Sequence, residues 1–266
     1  MIKAKKSLGQ NFLKSQKALA AIVDVGDVKA EDIILEIGPG KGALTEKLLK
    51  LAGKVVAVEK DHELISLLKE KFKEQIKKGK LEILEKDILD FDSEVLKFYD
   101  LPYKIIANIP YYITGAIIRK FLESNHQPER MVLLVQKEVA LRIVARDGKE
   151  SILSISVKAY GQPVYIDTVK KRYFSPEPKV DSSILLIENI SKKLFIKNDI
   201  SEEKFFEIVK TGFAHKRKMV SSNLKPLLGG RTPKYLIDCR IKEKSRAEDL
   251  SLIDWVCLAR NYVEII

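Results

Sequence analysis

The stretch Asn108-Ile-Pro-Tyr111 contains residue types that could hold an exocyclic amino group for alkylation. An amine conjugated to a purine ring is a poor nucleophile because its lone pair is delocalised into the ring. The side-chain carbonyl of Asn108, with a backbone carbonyl directed by Pro110, could accept the amine protons and draw that lone pair out of conjugation. Tyr111 offers a flat face on which a flipped base could stack. The same stretch, together with Tyr112, could also be an ordinary strand end with a proline turn and two packed tyrosines.

A glycine-rich turn between a strand and a helix predicts a second element of a site. The apolar run Ile33–Ile37 is followed by Gly38-Pro-Gly-Lys-Gly42 and then by the helical stretch Ala43–Leu51. Glycines in such a turn let the backbone approach a ligand closely. The spacing differs from both the dinucleotide fingerprint and the phosphate-binding loop. A ligand with a ribose but no phosphate therefore fits better than NAD or ATP.

Acidic residues follow the next two predicted strands. Glu59 ends the run that starts at Val55, about twenty residues after the glycine turn, where a carboxylate can accept both ribose hydroxyls. Asp87 and Ile88 follow a third strand and could bind and cover an adenine edge. Each acid alone could be a helix cap. Their succession on strands one to three, with Asn108 on strand four, favours a nucleoside site.

The alternation of strands and helices predicts an α/β fold. Strands are expected near residues 33–37, 55–59, 81–85, 104–108, 131–136, 164–169 and 183–188, and helices near 45–50, 63–78, 115–123, 137–145 and 152–160. We expect a doubly wound, mostly parallel seven-stranded sheet. Because a short Pro-rich link without a helix joins the last two strands, the seventh strand should be antiparallel.

The pattern becomes helical after residue 189. Ser201 should cap a helix over 202–213, and a final amphipathic segment runs from 247 to 262. We therefore predict two domains, residues 1–189 with the ligand site and an N-terminal arm, and residues 190–266 as a small helical domain. With 266 residues and 45% hydrophobic content, the chain is long enough for both.

Several classes of protein are disfavoured by composition. No run approaches eighteen apolar residues, and the N-terminus lacks the apolar core of a signal peptide, so we expect a cytoplasmic protein. Cys239 and Cys257 are too few and too isolated for a disulfide framework or a zinc site, which predicts packing thiols. His62, His126 and His215 have no ligand spacing, so no metal is expected.

The excess positive charge lies at the two ends of the chain. Residues 1–30 carry six lysines against two acids, and residues 189–266 carry sixteen Lys or Arg against ten acids. Residues 31–188 are almost balanced, with twenty-six basic and twenty-five acidic side chains. The ends thus offer basic surfaces of the kind that a polyanion needs, although solvated lysines are the simpler interpretation of any single basic run.

In combination, the motifs resemble the small-subunit ribosomal RNA adenine N6,N6-dimethyltransferase family. The matching segments run almost end to end and are Leu8-Gly-Gln-Asn-Phe-Leu13, Glu36-Ile-Gly-Pro-Gly40, Val58-Glu59, Asp87, Asn108-Ile-Pro-Tyr111, Gln136-Lys-Glu138, the run from Phe174 to Ser182, Phe213 with Lys216-Arg-Lys218, and Asn223-Leu224. The resemblance implies S-adenosylmethionine as methyl donor. It also implies dimethylation of two neighbouring adenosines near the 3′ end of small-subunit rRNA, within an immature 30S particle, by a monomer that needs no metal.

The resemblance also implies roles for individual residues. Asn11 and Leu13, in an arm that folds over the donor, would contact S-adenosylmethionine beside Gly38, with Glu59 on the ribose and Asp87 on the adenine. Asn108 would touch both donor and target base. Pro110 and Tyr111 would complete the base pocket, with Phe174 closing its other face, and Lys216, Arg217 and Lys218 would contact RNA. Transfer should be direct and in line.

Three other functions remain compatible with some of these motifs. The antibiotic-resistance methyltransferases of large-subunit rRNA share the catalytic motifs, although Pro39 and the segment Lys216–Lys218 favour the small-subunit family. A DNA adenine methyltransferase would more often show Asp or Asn followed by Pro-Pro-Tyr. The protein could also act chiefly as a ribosome-assembly factor whose methylation is secondary, and the sequence allows both roles together.

Overall fold

The computed structural model describes residues 4–5, 8–99 and 102–262. The chain divides into two compact units. The first comprises the residues up to Ala140 together with Gln162–Ile190, and the second comprises Leu141–Gly161 together with the chain from Ser191 onward. The predicted boundary at residue 189 places residues 141–161 in the first domain, whereas the structure groups them with the second unit.

A seven-stranded sheet forms the centre of the first unit, as predicted. Its strands are β2 (Ile33–Ile37), β3 (Lys54–Glu59), β4 (Leu81–Glu85), β5 (Tyr103–Asn108), β6 (Arg130–Gln136), β7 (Gln162–Val169) and β9 (Ser182–Glu188), in the order β4-β3-β2-β5-β6-β9-β7. The pairs from β4 to β6 are parallel, and β9 is antiparallel to both neighbours. The direction of winding reverses between β2 and β5. In open sheets of this kind, ligands bind at such a switch point, beyond the carboxyl ends of the strands.

Helices lie before the first of these strands or after several of the strands in the chain. They are α1 (Gln16–Val25), α2 (Ala43–Leu51), α3 (His62–Lys71), α4 (Lys73–Lys77), α5 (Thr114–Glu123) and α6 (Lys137–Val144). The single helix expected over 63–78 is interrupted at Phe72, whose backbone leaves the helical region and whose ring is buried. The sequence analysis missed α1, which buries Leu19, Ile22 and Val23 at helical spacing against the core.

A two-stranded antiparallel sheet holds the N-terminal arm. Strand β1 (Phe12–Leu13) pairs with β8 (Phe174–Ser175), and Leu13 lies opposite Phe174. The backbone N–H of Lys14 extends the pairing by donating to the carbonyl of Tyr173 at 2.8 Å. The arm is therefore fixed to the segment that carries Phe174, an arrangement that the sequence analysis did not predict.

The second unit is helical. It contains α7 (Ile152–Lys158), α8 (Lys193–Asn198), α9 (Glu202–Gly212), α10 (Val220–Leu228), α11 (Thr232–Asp238) and α12 (Leu252–Asn261). Ser201 caps α9 as predicted, accepting the N–H of Lys204 at 3.1 Å. The segment expected over 247–262 is instead a 3-10 turn followed by α12, which Ser251 caps. Tyr160 packs on Phe195 and Phe206, which explains why its segment belongs to this unit.

The expectation that Cys239 and Cys257 are packing thiols is wrong, because they form a disulfide. Cys239 follows the last residue of α11, and Cys257 lies on α12. Their Cα atoms are 5.7 Å apart, within the range that a disulfide can bridge. Eighteen residues separate them along the chain, so their proximity depends on how α11 and α12 pack and is not visible in the spacing.

Two further findings concern all the described residues. None of their helices is long and apolar enough to cross a membrane. Within the same residues, no group of three or more His, Cys, Asp or Glu side chains could hold a metal ion.

Candidate active site

A cleft of about 490 Å³ opens at the carboxyl ends of β2, β3, β4 and β5. Eight of the residues predicted for the site line it, namely Asn11, Leu13, Gly38, Glu59, Asp87, Asn108, Pro110 and Tyr111. Phe174 is not among its lining residues, because its side chain is only 2% exposed and packs in the core with Leu13. Lys216, Arg217 and Lys218 belong to the second unit.

The glycine turn after β2 depends on left-handed backbone. Gly40 has a φ of +58°, and a Cβ atom there would lie 3.0 Å from the ring of Phe12 in the arm. Gly42, which begins α2, has a φ of +75°, and a Cβ atom would lie 2.5 Å from the ring of Phe72. Glycine at both positions thus allows the turn, the arm and the end of α3 to pack closely.

This packing can be tested by comparing two glycines with similar backbone conformation. Alanine at Gly42 and at Gly79, whose φ is +72°, should suffer the same left-handed strain, but the space around Gly79 is open. We expect Gly42→Ala to lower the free energy of unfolding by about 1–3 kcal/mol more than Gly79→Ala, because only the former overlaps Phe72. Urea unfolding measures the difference, and equal losses would contradict the tight contact.

Glu59 ends β3 and is almost completely buried. One carboxylate oxygen accepts the N–H groups of Lys60 at 2.9 Å and Asp61 at 3.0 Å, and the other accepts the N–H of Gly40 at 3.3 Å. Burial raises the pKa of Glu59, and the three backbone donors oppose that rise. The carboxylate is therefore held in one orientation beside the glycine turn.

Asp87 lies just beyond β4, on the same edge of the sheet. Its carboxylate accepts Lys60 Nζ at 2.6 Å and the N–H of Leu89 at 2.9 Å. The bond from Lys60, followed by that from Leu89, lowers the pKa of Asp87. An ionised carboxylate with free lone pairs thus remains at the rim of the cleft.

Asn108 connects the end of β5 to the N-terminal arm. Its Nδ2 donates to the backbone carbonyl of Asn11 at 3.0 Å. Its Oδ1 has no hydrogen-bond partner within the described part of the chain. This leaves one well-placed acceptor in the cleft, beside Pro110 and Tyr111.

Tyr111 is held at both ends. Its backbone carbonyl accepts Thr114 Oγ1 at 3.1 Å, and its phenol oxygen lies 2.5 Å from Ser182 Oγ. Burial raises the pKa of the phenol. Tyr112, by contrast, is 64% exposed.

Asp61 supports the site without lining the cleft, and its role was not predicted from the sequence. Its carboxylate, fully shielded from solvent, accepts Lys5 Nζ and Gln10 Nε2, each at 2.7 Å, and also the N–H of Glu63 at the start of α3. The arm is thereby tied to the turn that carries Glu59. Lys5, one of the six lysines in residues 1–30, therefore forms ion pairs with Asp61 and Glu63, and Lys3 and Lys6 lie outside the described residues.

The surroundings of Glu36 and Ser182 were likewise not visible from their positions in the motifs. Glu36 is buried on β2 beneath the cleft, and burial raises its pKa to about 8. Ser182 had been noted only as the last residue of the Phe174 segment, yet it contacts Tyr111. The signal in both cases was a polar residue within an apolar strand, which usually has a partner or a ligand.

The sheet with an antiparallel last strand, the glycine turn and the acids beyond β3 and β4 define a class I methyltransferase of Rossmann-like fold. Residues 1–263 match the family model described as "Ribosomal RNA adenine dimethylase", and the chain belongs to that family. The resemblance predicted from the motifs is therefore confirmed.

Curated relatives and solved structures agree with this assignment. The "Ribosomal RNA small subunit methyltransferase A" of Dehalococcoides mccartyi (strain CBDB1) is 43% identical over 264 residues, covering 98% of this chain and 89% of the relative. The protein of the same name from Fusobacterium nucleatum is 37% identical and covers 98% of each chain. A dimethyladenosine transferase from Plasmodium falciparum is 27% identical, with a TM-score of 0.74 over 93% of this chain and 95% of that one. The 23S rRNA methyltransferase ErmE, 24% identical with a TM-score of 0.75 over 94% and 98%, shows the shared fold.

Proposed function

We propose that the protein uses S-adenosylmethionine to convert two adjacent adenosines near the 3′ end of small-subunit rRNA into N6,N6-dimethyladenosine. The observation that carries this proposal is Asn108, whose amide nitrogen is bound by the arm and whose Oδ1 is left as an acceptor in the same cleft as Glu59. The names of the curated relatives support the small subunit as the substrate.

The cleft fits the donor in its chemistry. Glu59 presents an oriented carboxylate to the two ribose hydroxyls, and Asp87 offers an acceptor to the exocyclic amine of the donor adenine. Gly38 lets the backbone approach the ligand, and the arm would cover it through Asn11 and Leu13. A nucleoside without phosphate needs these acceptors and no phosphate-binding loop.

The transfer step requires alignment more than acid or base catalysis. The sulfonium methyl is already electrophilic, so N6 forms its bond to the methyl carbon as the carbon–sulfur bond breaks, and the proton of N6 leaves to water. Asn108 Oδ1 would accept an N6 proton and orient the lone pair, while the ring of Tyr111 would stack on the base. The phenol of Tyr111, with its raised pKa, stays neutral and does not act as the base.

Phe174 is proposed to close the second face of the base. Its side chain is buried in the core, it lies opposite Leu13 in the two-stranded sheet, and the next residue, Ser175, lines the cleft.

The second unit supplies a basic turn for RNA. Lys216, Arg217 and Lys218 are exposed between α9 and α10. Asn223, buried on α10, anchors the start of this turn by donating to the carbonyls of Gly212 at 2.6 Å and His215 at 3.1 Å. A fixed, exposed cluster of three cations is suited to the phosphates of a folded RNA.

Neutralising Lys216, Arg217 and Lys218 together should weaken binding to immature small subunits and leave donor affinity unchanged. Each lost phosphate contact should flatten the slope of log K against log salt by roughly 0.7, because fewer counterions are released. The matched control neutralises Lys73, Lys77 and Lys78, three exposed lysines in the first unit. The measurement is the affinity for immature small subunits at several salt concentrations. Equal slopes of log K against log salt for both triple variants would show that the basic turn is solvated surface and does not contact phosphate.

The proposed activity is tested by mass spectrometry of rRNA from small subunits treated with the protein and S-adenosylmethionine. We expect N6,N6-dimethyladenosine at two adjacent positions near the 3′ end. We propose that the protein acts as a monomer, in the cytoplasm, on a precursor of the small subunit. Large subunits and duplex DNA are treated in parallel. Modification of either substrate in place of the small subunit would support the alternative methyltransferases and reject this substrate. Rescue of subunit maturation by an inactive variant would assign a separate assembly role.

A further inference from the structure

We propose that Ser182 is a positioning residue for methyl transfer, which fixes the ring of Tyr111 against the target base. The inference rests on the proposed function, since it concerns the same base pocket. Its basis is the contact of 2.5 Å between Ser182 Oγ and the phenol oxygen of Tyr111.

Ser182 is a rigid point of attachment. It is the first residue of β9 and has no exposed surface. Its backbone pairs with Gln136 of β6 on one side and with Val169 of β7 on the other. A buried hydroxyl normally has a hydrogen-bond partner, and the phenol of Tyr111 serves as that partner here.

The contact restricts the ring of Tyr111 at its far end. At the near end, Thr114 Oγ1 holds the backbone carbonyl of Tyr111. With both ends fixed, the position of the ring and the direction of its long axis are set relative to Asn108 at the end of β5. A base stacked on that ring would have its N6 placed at a defined height over the acceptor of Asn108. Loss of the contact should therefore slow transfer without affecting donor binding.

The neighbouring residue offers a matched control. Ser183 is equally buried on the same strand, and its Oγ donates to the phenol oxygen of Tyr165 at 2.8 Å. Successive side chains of a strand point to opposite faces of the sheet, and neither Ser183 nor Tyr165 lines the cleft. Ser183→Ala thus removes the same kind of buried serine–tyrosine bond away from the site.

The experiment measures single-turnover methylation of small subunits at saturating S-adenosylmethionine. We expect Ser182→Ala and Tyr111→Phe each to slow transfer by about three- to tenfold, the factor that a net hydrogen bond contributes. The double variant should be no slower than either single variant, because both changes remove one interaction. Ser183→Ala should stay within twofold of the wild-type rate, and all variants should keep the wild-type affinity for the donor.

Two outcomes would overturn the inference. One is a wild-type rate for Ser182→Ala, and the other is a double variant in which the two losses multiply. Thermal melts of all four variants check folding, and Tyr111→Phe keeps the test valid if Ser182→Ala does not fold. If the wild-type protein does not methylate small subunits, the proposed function is wrong. If the wild-type protein is active but Ser182→Ala is equally active, only the positioning role of Ser182 is wrong.

Discussion

Asn108→Ala should lower the rate of methyl transfer by about 10²–10³, the loss typical of one missing preorganised polar group. The substitution removes Oδ1, which we propose accepts an N6 proton of the target adenosine. It also removes the donor to the carbonyl of Asn11, so the arm loses one attachment. Single-turnover methylation of small subunits at saturating S-adenosylmethionine measures the chemical step without interference from weaker donor binding.

Two tyrosine variants serve as comparisons for Asn108→Ala in this experiment. Tyr111→Ala should also slow transfer, by the loss of base stacking of about 1–3 kcal/mol, but it keeps the Asn108 acceptor. Tyr112→Ala removes the exposed neighbouring tyrosine and should have a smaller effect, because only Tyr111 is held by Ser182. A near-wild-type rate for Asn108→Ala would overturn the proposed mechanism.

The sheet could be predicted from sequence because its strands are encoded locally. Strand β2 is buried along its whole length, so it reads as an apolar run in which Glu36 is the one polar residue. The turn after it is rich in glycine, which is typical of a turn that approaches a ligand closely. The Pro-rich link around residue 176 is too short for a crossover helix. These features fixed the element order and the antiparallel last strand, including which strand ends lie together at the cleft.

The contacts that the sequence did not reveal all depend on distant parts of the chain. The pairing of Leu13 with Phe174 joins segments that are far apart in sequence, so neither β1 nor the burial of Phe174 could be predicted. The same holds for Asp61, which binds Lys5 and Gln10 across more than fifty residues. The disulfide between Cys239 and Cys257 likewise follows from the packing of α11 with α12. Contacts of this kind depend on the tertiary fold, whereas hydrophobic periodicity predicts only the helices and strands.

The arm illustrates how these long-range contacts shape the site. Asn11 is bound by Asn108, Leu13 pairs opposite Phe174, and Gln10 is bound by Asp61. Three residues of one short segment thus meet the strand ends of β5 and β3 and the segment before β9. The parts of the cleft at the ends of β3 and β5 are therefore connected through the arm. A resemblance can suggest each residue in turn, but this connection is visible only in the structure.

Glu59→Ala should weaken the binding of S-adenosylmethionine by at least tenfold while leaving RNA binding nearly unchanged. The variant would lose the two charge-assisted hydrogen bonds that we propose Glu59 makes to the ribose. Each is worth about 1.5–3 kcal/mol, and 1.4 kcal/mol already corresponds to a factor of about ten in affinity. It also leaves the N–H groups of Gly40, Lys60 and Asp61 without their acceptor, which should loosen the glycine turn. Calorimetric titration of the donor measures the affinity.

The matched control is Glu85→Ala. Glu85 lies directly opposite Glu59 on the neighbouring strand, but its side chain is half exposed, contacts His62 and does not line the cleft. Removing this carboxylate changes the net charge by the same amount at the same edge of the sheet. A general electrostatic effect would therefore weaken donor binding equally in both variants. We expect wild-type affinity for Glu85→Ala and a loss for Glu59→Ala alone. Wild-type affinity in Glu59→Ala would remove that residue from the donor site and leave Asp87 as the carboxylate to test next.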